Sequence, residues 1–287
     1  MLEKMDSSSD LQDTVVVRLA QNKKEIEAAQ KLRYKVFYEE YGAEPSPEMA
    51  KQKRDFDPFD DVADHLIVYH GALDQEITDE SSIIGTYRLL RREIADDHGR
   101  FYTSDEYDIT PLLKENKGQL ELGRSCVLVE YRTRPVMHKL WQGITNYILD
   151  HNIEYLFGCA SFGGTDVDAV SKQLSYLHHY HRAPENLRVR ALDNRYIEMN
   201  HHKKEDLDVK EVFSSLPPLI KGYLRVGALV GDGAVIDTQF NTIDVCMIMP
   251  TSHIPERYIK HYTRGHDDLD MGNSPFMLNS KSTAGAE

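Results

Sequence analysis

Cysteine is scarce in this sequence, long apolar runs are absent and bases are outnumbered, and each shortage excludes a class of protein. Cys126, Cys159 and Cys246 cannot all pair, show no metal-ligand spacing and lie in apolar runs that read as strands, so they are expected to be buried, reduced thiols of a cytoplasmic protein. No stretch approaches the roughly 18 continuous apolar residues of a membrane span, and the opening MLEKMDSSSD has no apolar core behind its charges; neither an anchor nor a secretion signal is expected. The 34 Lys and Arg against 47 Asp and Glu give a formal charge of −13, which argues against nucleic acid as a partner. No G-x-S-x-G elbow, P-loop or G-x-G-x-x-G follows a predicted strand, and GDGA at 231–234 is too short and wrongly placed. Hydrolases, nucleoside triphosphatases and dinucleotide-binding enzymes lose their usual support.

What is present is a 287-residue chain with 40% hydrophobic residues, enough for one domain with elaborations. Val15 to Leu19 reads as a strand, and Asn22 followed by Glu25 resembles a capping box. Ile26, Ala29, Leu32, Val36 and Phe37 then recur at helical spacing, which predicts a helix over about 22–41. Strands are predicted over 64–70, 82–92, 120–129, 154–162 and 240–249. Helices are predicted over MHKLWQGITNYILDHN, over 168–182 and, after a loop, within 216–229; 93–118 reads as irregular and 187–199 as partly extended. The strand, helix, strand succession from 120 to 162 implies a parallel pair joined by a right-handed crossover. The expected architecture is α/β (α+β), a central twisted mixed sheet with helices on both faces. It should occupy 14–263, between a flexible 1–13 and a loose, polar 264–287 tail. Many enzymes share such a sheet, so function must be argued from side chains.

Several charges sit inside apolar runs, where each needs a partner or a ligand: Arg33 in LRYKVF, Arg88 in IIGTYRLL, and Glu121 and Arg124 in LELGRSC. The quartet Asp55, Asp57, Asp60 and Asp61 can be read as a cation site or as the counter-charge of these arginines. Its proline and missing hairpin glycine match no metal loop, so no metal is expected. Glu121 and Arg124 are three apart and face opposite sides of a regular strand, unless a bulge beside Gly123 intervenes. His178, His179 and His181 read as helix-surface histidines, with no second ligand pair at zinc spacing. YRTRPVMHKLWQ carries Arg132, Arg134 and Lys139 and no acid, a basic stretch in an acidic protein.

Taken in order, LRYKVFYEEYGA, RDFDPFDDVADHLIV, IIGTYRLLR, FYTSDEYDI, LELGRSCVLVEYRTR, LWQGITNYI, FGCASFGGTD, LPPLIKGYLRVGA and DVCMIM resemble the autoinducer-synthase-like branch of the GNAT superfamily, and within it the L-ornithine N-alpha-acyltransferases. The likeness spans about 15–262. It implies a GNAT-like fold and transfer of a (3-hydroxy)acyl chain from the phosphopantetheine thioester of an acyl carrier protein to an amino acid amine, with L-ornithine the favoured acceptor. No tightly bound cofactor is implied. The functional pattern of the branch falls on Arg33, Phe37, Asp57, Asp60, Arg88, Phe101, Glu121 and Arg124. The Q/R-x-x-G-x-G/A loop of ordinary acetyltransferases, which cradles coenzyme A, is replaced by YRTRPV.

On this resemblance Glu121 is the expected base, with backbone N–H groups near Gly123 for the oxyanion. Arg124, Arg88, Asp57 and Asp60 organise the site. Arg33, Phe37, Phe101, Val127, Arg132 and Arg134 are assigned to the donor, and Arg132 and Arg134 meet its phosphate or the acidic carrier. Asp232 is assigned to the ornithine side chain, and Trp141, Phe157 and Phe162, with Phe37, to the acyl tail. Acylation of glycine, lysine or another amino acid, an autoinducer-type synthase and a non-catalytic module that binds acyl chains or carrier protein stay open. The lipid product would allow transient contact with the inner membrane surface.

Overall fold

The computed structural model describes residues 15–71 and 82–262; the expected flexible start (1–13), the tail (264–287) and the segment 72–81 lie outside the described residues. Among the described residues nine strands form one sheet: β1 (Val15–Leu19), β2 (Asp64–His70), β3 (Ile83–Arg91), β4 (Tyr107–Asp108), β5 (Gln119–Val127), β6 (Tyr155–Gly163), β7 (Arg190–Ala191), β8 (Leu229–Asp237) and β9 (Thr242–Pro250). Their order across the sheet is β1-β2-β3-β5-β6-β9-β8-β7-β4. The longer helices are α1 (Lys23–Tyr34), α2 (Arg134–Asp150), α3 (Ser171–His181) and α4 (Pro218–Arg225). Among the described residues no helix is long and apolar enough to cross a membrane.

Asn22 caps α1 by accepting from Glu25 N, as its spacing predicts, but the Glu25 carboxylate grips both Arg18 terminal nitrogens at 2.8 Å. The predicted 22–41 helix changes character at Lys35, where Lys35–Glu40 continues as a π-helical turn. The 93–118 segment is less irregular than its composition implies, holding short helices at Arg92–His98 and Thr110–Leu113 and strand β4. The largest omission is β8, for which no element was expected: the GDGA stretch is its bulged middle, and the helix expected within 216–229 ends at Arg225.

β5 and β6 are parallel and joined through α2, and their pairing is brief. It covers Gln119 with Tyr155, Leu120 with Leu156 and Glu121 with Phe157. Beyond this point β6 stays on β9 as far as Gly163 while β5 follows β3, so the sheet opens in a V. Two local features hold the V open. Between β3 and β5 the register moves from Thr86 opposite Cys126 to Arg88 opposite Gly123, one extra residue on β5, and Arg124 takes a left-handed φ of 50° there. On β6, a Cβ added at Gly158 would lie 2.2 Å from the Leu122 carbonyl oxygen, so only glycine lets the strands touch at the vertex.

Alternation gives the sheet two apolar faces. On one, Leu120, Leu122, Leu156, Ala160, Val245 and Met247 pack with α2 and α4. On the other, Phe157, Cys246, Ile248 and Val235 pack with Phe59, Phe101, Tyr107 and Leu112 from the chain crossing that side. Each fully buried Leu, Ile or Phe in these layers contributes about 1.5–3 kcal/mol of transfer free energy.

Candidate active site

On the Phe157 face, at the vertex of the V, three arginines and three aspartates interlock. Arg33, on α1 and fully buried, meets Asp55 Oδ2 through Nε at 2.7 Å and Asp60 Oδ2 through Nη2. Arg88, on β3, donates from Nη1 to Asp57 Oδ1 at 2.6 Å and Asp60 Oδ1 at 3.0 Å. Arg124, turned by the bulge, reaches Asp57 Oδ2 at 3.1 Å and Asp55 Oδ2 at 3.3 Å. The charges cancel, so of the two readings of the aspartates the ion network is the one the geometry bears out, and the exposed Asp61 stays outside it. Burial opposes ionisation of Asp57 and Asp60, but the arginines win and hold both carboxyls below the usual value.

Glu121 lies one step away on β5, buried. Its two oxygens accept from Tyr102 N at 2.9 Å and Thr103 N at 2.6 Å, which ties the turn after Phe101 to the sheet. Burial pushes its carboxyl up, and those amides and Arg88 push back. Tyr102 turns its ring onto Arg124, whose guanidinium is 4.7 Å from the centroids of both Tyr102 and Phe240. Phe37 packs edge-on to Phe240 at 5.7 Å and Phe101 edge-on to Phe157 at 4.9 Å. The structure therefore gathers Arg33, Phe37, Asp57, Asp60, Arg88, Phe101, Glu121 and Arg124 around one vertex.

Other expected residues fall elsewhere. Asp232 does not face this centre with a free carboxylate, because Arg182 at 2.9 Å and Arg190 at 2.7 Å bridge its two oxygens at the β7 side of β8. Arg132 is held by Glu40 at 2.6 and 2.7 Å, and its Nε donates to the Val127 carbonyl at 3.0 Å, so neither Arg132 nor Val127 waits unpaired. The Arg134 side chain lies outside the described residues. Of the four aromatics assigned to the acyl tail, Phe157 and Trp141 border different clefts among the described residues. Phe157 borders an apolar cleft at the vertex with Leu122, Leu156, Gly158, Tyr223 and Met247, whereas Trp141 borders a second cleft with Ile148 and Val226. Phe162 is buried in the core of the α2 face. Trp141 does touch the first cleft's wall, its ring edge-on to Tyr223 at 5.6 Å. Among the helix histidines, His179 Nε2 contacts the His202 carbonyl at 2.8 Å and His181 Nε2 the Tyr176 hydroxyl at 3.0 Å.

Sequence reasoning missed one grouping. Glu106, Asp237 and Asp244 converge on the Phe157 face where the V widens, one oxygen from each lying within 4.8 Å of the others. Asp244 interrupts the apolar run of β9 and could have been singled out by the logic applied to Arg88. Nothing in the spacing of Glu106 and Asp237 announces them. Burial, then Asp244, pushes Glu106 up to about 7; burial, with Asp237, pushes Asp244 up to about 6 against the Ser161 and Thr242 hydroxyls.

A mixed sheet split at a bulge, with buried charge on one face and an apolar cleft at the vertex, defines an acyltransferase of the GNAT class, and residues 32–142 match the acetyltransferase (GNAT) domain family. The chain is 48% identical to the L-ornithine N(alpha)-acyltransferase of Brucella abortus (strain 2308), over 86% of this chain and 88% of the relative. It is 44% identical to that of Rhodobacter capsulatus, over 86% and 94%. It belongs to the L-ornithine N(alpha)-acyltransferase family. A solved coenzyme-A-dependent acyl-homoserine lactone synthase, BjaI, aligns over 88% of each chain at 12% identity and a TM-score of 0.46, a distant likeness.

Proposed function

We propose that this protein transfers an acyl chain from the thioester of an acyl carrier protein to the α-amine of L-ornithine. The observation that carries this reading is identity of 44–48%, over 85–87% of the chain, to four L-ornithine N(alpha)-acyltransferases. In the reaction the acceptor's ammonium loses a proton and its nitrogen attacks the thioester carbonyl carbon. The oxyanion collapses, the C–S bond breaks, and an amide and a free thiol result.

The geometry supports each part. Past Glu121 the edge of β5 has no partner on β6, so its backbone can pair with the amides of a phosphopantetheine arm as an added strand would. The apolar cleft lined by Leu122, Leu156, Tyr223 and Met247 lies beside that edge, on the side where an acyl chain can enter among hydrocarbon. α2 begins after β5 with no side-chain cap, which leaves N–H groups for the donor's phosphate. Backbone N–H groups of the bulge serve the oxyanion. Glu121 takes the acceptor's proton through a water, since both its oxygens already hold backbone N–H groups, and the ion network fixes Arg124 for the acceptor's carboxylate.

Glu121→Gln is the test. It presents an NH2 to one of two backbone N–H groups and should cost about 1–3 kcal/mol of stability. Loss of the base should lower turnover by about 10²–10⁴-fold in protein that is still folded at the assay temperature. Wild-type rates in that variant would remove the base assignment.

A further inference from the structure

Recognition of a diamino acid needs a second site of negative charge, away from the reacting amine, and the carboxylate first expected there is occupied by arginines. We propose that Glu106, Asp237 and Asp244 form the receptor for the acceptor's side-chain ammonium and so set the preference for ornithine over monoamino acids. This rests on the reading of the protein as an ornithine acyltransferase.

Geometry carries the proposal. Three oxygens within 4.8 Å of one another leave a central point no more than about 2.8 Å from each, the N···O length of an ammonium hydrogen bond. An ammonium has three donors and the site has three acceptors. Asp244 is nine-tenths buried and contributes one of the three oxygens, and its Oδ1 accepts no hydrogen bond of good geometry although the Ser161 and Thr242 hydroxyls act on the carboxyl, an arrangement that is costly unless something donates to it. The other oxygens are only partly engaged. Glu106 Oε1 meets Arg195 at 3.2 Å, Glu106 Oε2 accepts from Cys159 Sγ at 3.3 Å, and Asp237 Oδ1 accepts from Phe240 N at 3.1 Å.

Position agrees. Ser161, Cys159 and Phe157 succeed one another along this face of β6, opposite Asp244, Cys246 and Ile248 of β9, and Phe157 pairs with Glu121. The trio therefore lies up the open V from the proposed reacting centre. Phe240 follows Asp237 in the β8–β9 turn and Tyr102 precedes Glu106, and their rings flank Arg124. A guanidinium for the carboxylate and a carboxyl trio for the distal ammonium are thus linked through the chain segments that carry the Tyr102 and Phe240 rings. A bound cation would also offset the burial and the neighbouring carboxylates that push Glu106 up to about 7 and Asp244 up to about 6.

L-Norvaline, which has ornithine's carbon chain without the δ-amine, isolates the contact. With full-length protein and one acyl carrier protein donor, kcat/KM for ornithine over norvaline should fall at least tenfold in Asp244→Asn and in Glu106→Gln, chiefly through KM for ornithine. Thermal unfolding checks that both variants are folded, and Asp237→Asn, the least buried of the three, gives a third reading if either is not. An unchanged ratio in folded variants would overturn the proposal. So would equal losses for the two acceptors, which would place the trio at the α-amine or in the scaffold, and so would activity abolished by a chelator and restored by a divalent metal. Wild-type protein that acylates neither acceptor would overturn the underlying reading as well.

Discussion

Arg33→Met, which keeps the volume and removes the charge, tests the ion network most sharply. The guanidinium is fully buried against Asp55 and Asp60, so its loss leaves three aspartates facing two arginines with no water to screen the excess. Breaking such a pair from one side costs about 3–5 kcal/mol, roughly a fifth or more of the stability of an ordinary domain. Asp60→Asn alone should cost a similar amount by leaving the opposite excess. The double variant restores neutrality, so its loss should fall short of the sum by about 2–3 kcal/mol. Urea unfolding at pH 7.5, followed by circular dichroism, measures all four proteins. The wild type should also lose stability as pH falls below about 4, because carboxyls held below their usual value in the fold contribute fully above it and progressively less as they protonate. Arg33→Met should flatten that acid limb. Strict additivity of the two substitutions, or a loss under 1 kcal/mol for Arg33→Met, would refute the reasoning.

Gly158→Ala forces a Cβ against the Leu122 carbonyl at a φ of 154°, so it should destabilise by several kcal/mol or widen the vertex, seen as a lower melting temperature together with lost activity. Glu106→Gln should change stability with a pH signature. A carboxyl raised to about 7 makes the fold bind more protons than the unfolded chain, so wild-type stability falls as pH rises from about 4.5 to 7 by roughly 2–3 kcal/mol. The groups facing it are Asp244, Asp237, Cys159 and Arg195, and the variant should melt higher than wild type at pH 8 and not at pH 5. Asp232→Asn should lower stability by about 1–3 kcal/mol through Arg182 and Arg190 while leaving KM for ornithine unchanged.

The parts of the fold that could be read from the chain were those with a strong period and clear ends: α1 with its Asn22 cap, β2, β3, β5, β6, α2 and β9. β8 was hidden because Gly231 and Gly233 interrupt its apolar run, and no element was expected over 230–239. Packing makes them part of a strand, since a Cβ at Gly231 would meet Val189 at 2.7 Å and one at Gly233 the Tyr196 ring at 2.5 Å. The ion network was legible because charge inside an apolar run must be answered, and the bulge at Arg124 because Glu121 and Arg124 could share a face in no other way. Asp232 misled because adjacency to glycines says nothing about which arginines a fold brings near. Asp244 stood out in the apolar run of β9, but its grouping with Glu106 and Asp237 was invisible for the same reason, since Glu106 meets the other two only when the chain after Phe101 crosses the β8–β9 hairpin.

The most direct measurement mixes the purified protein with a 3-hydroxyacyl carrier protein and single amino acids, and follows free thiol and product mass together. Thiol release that depends on ornithine, with N-alpha-acylornithine as the product, is the predicted result. Folded protein that releases no thiol with any amine would contradict the account and leave a module that binds acyl chains or carrier protein without transferring them.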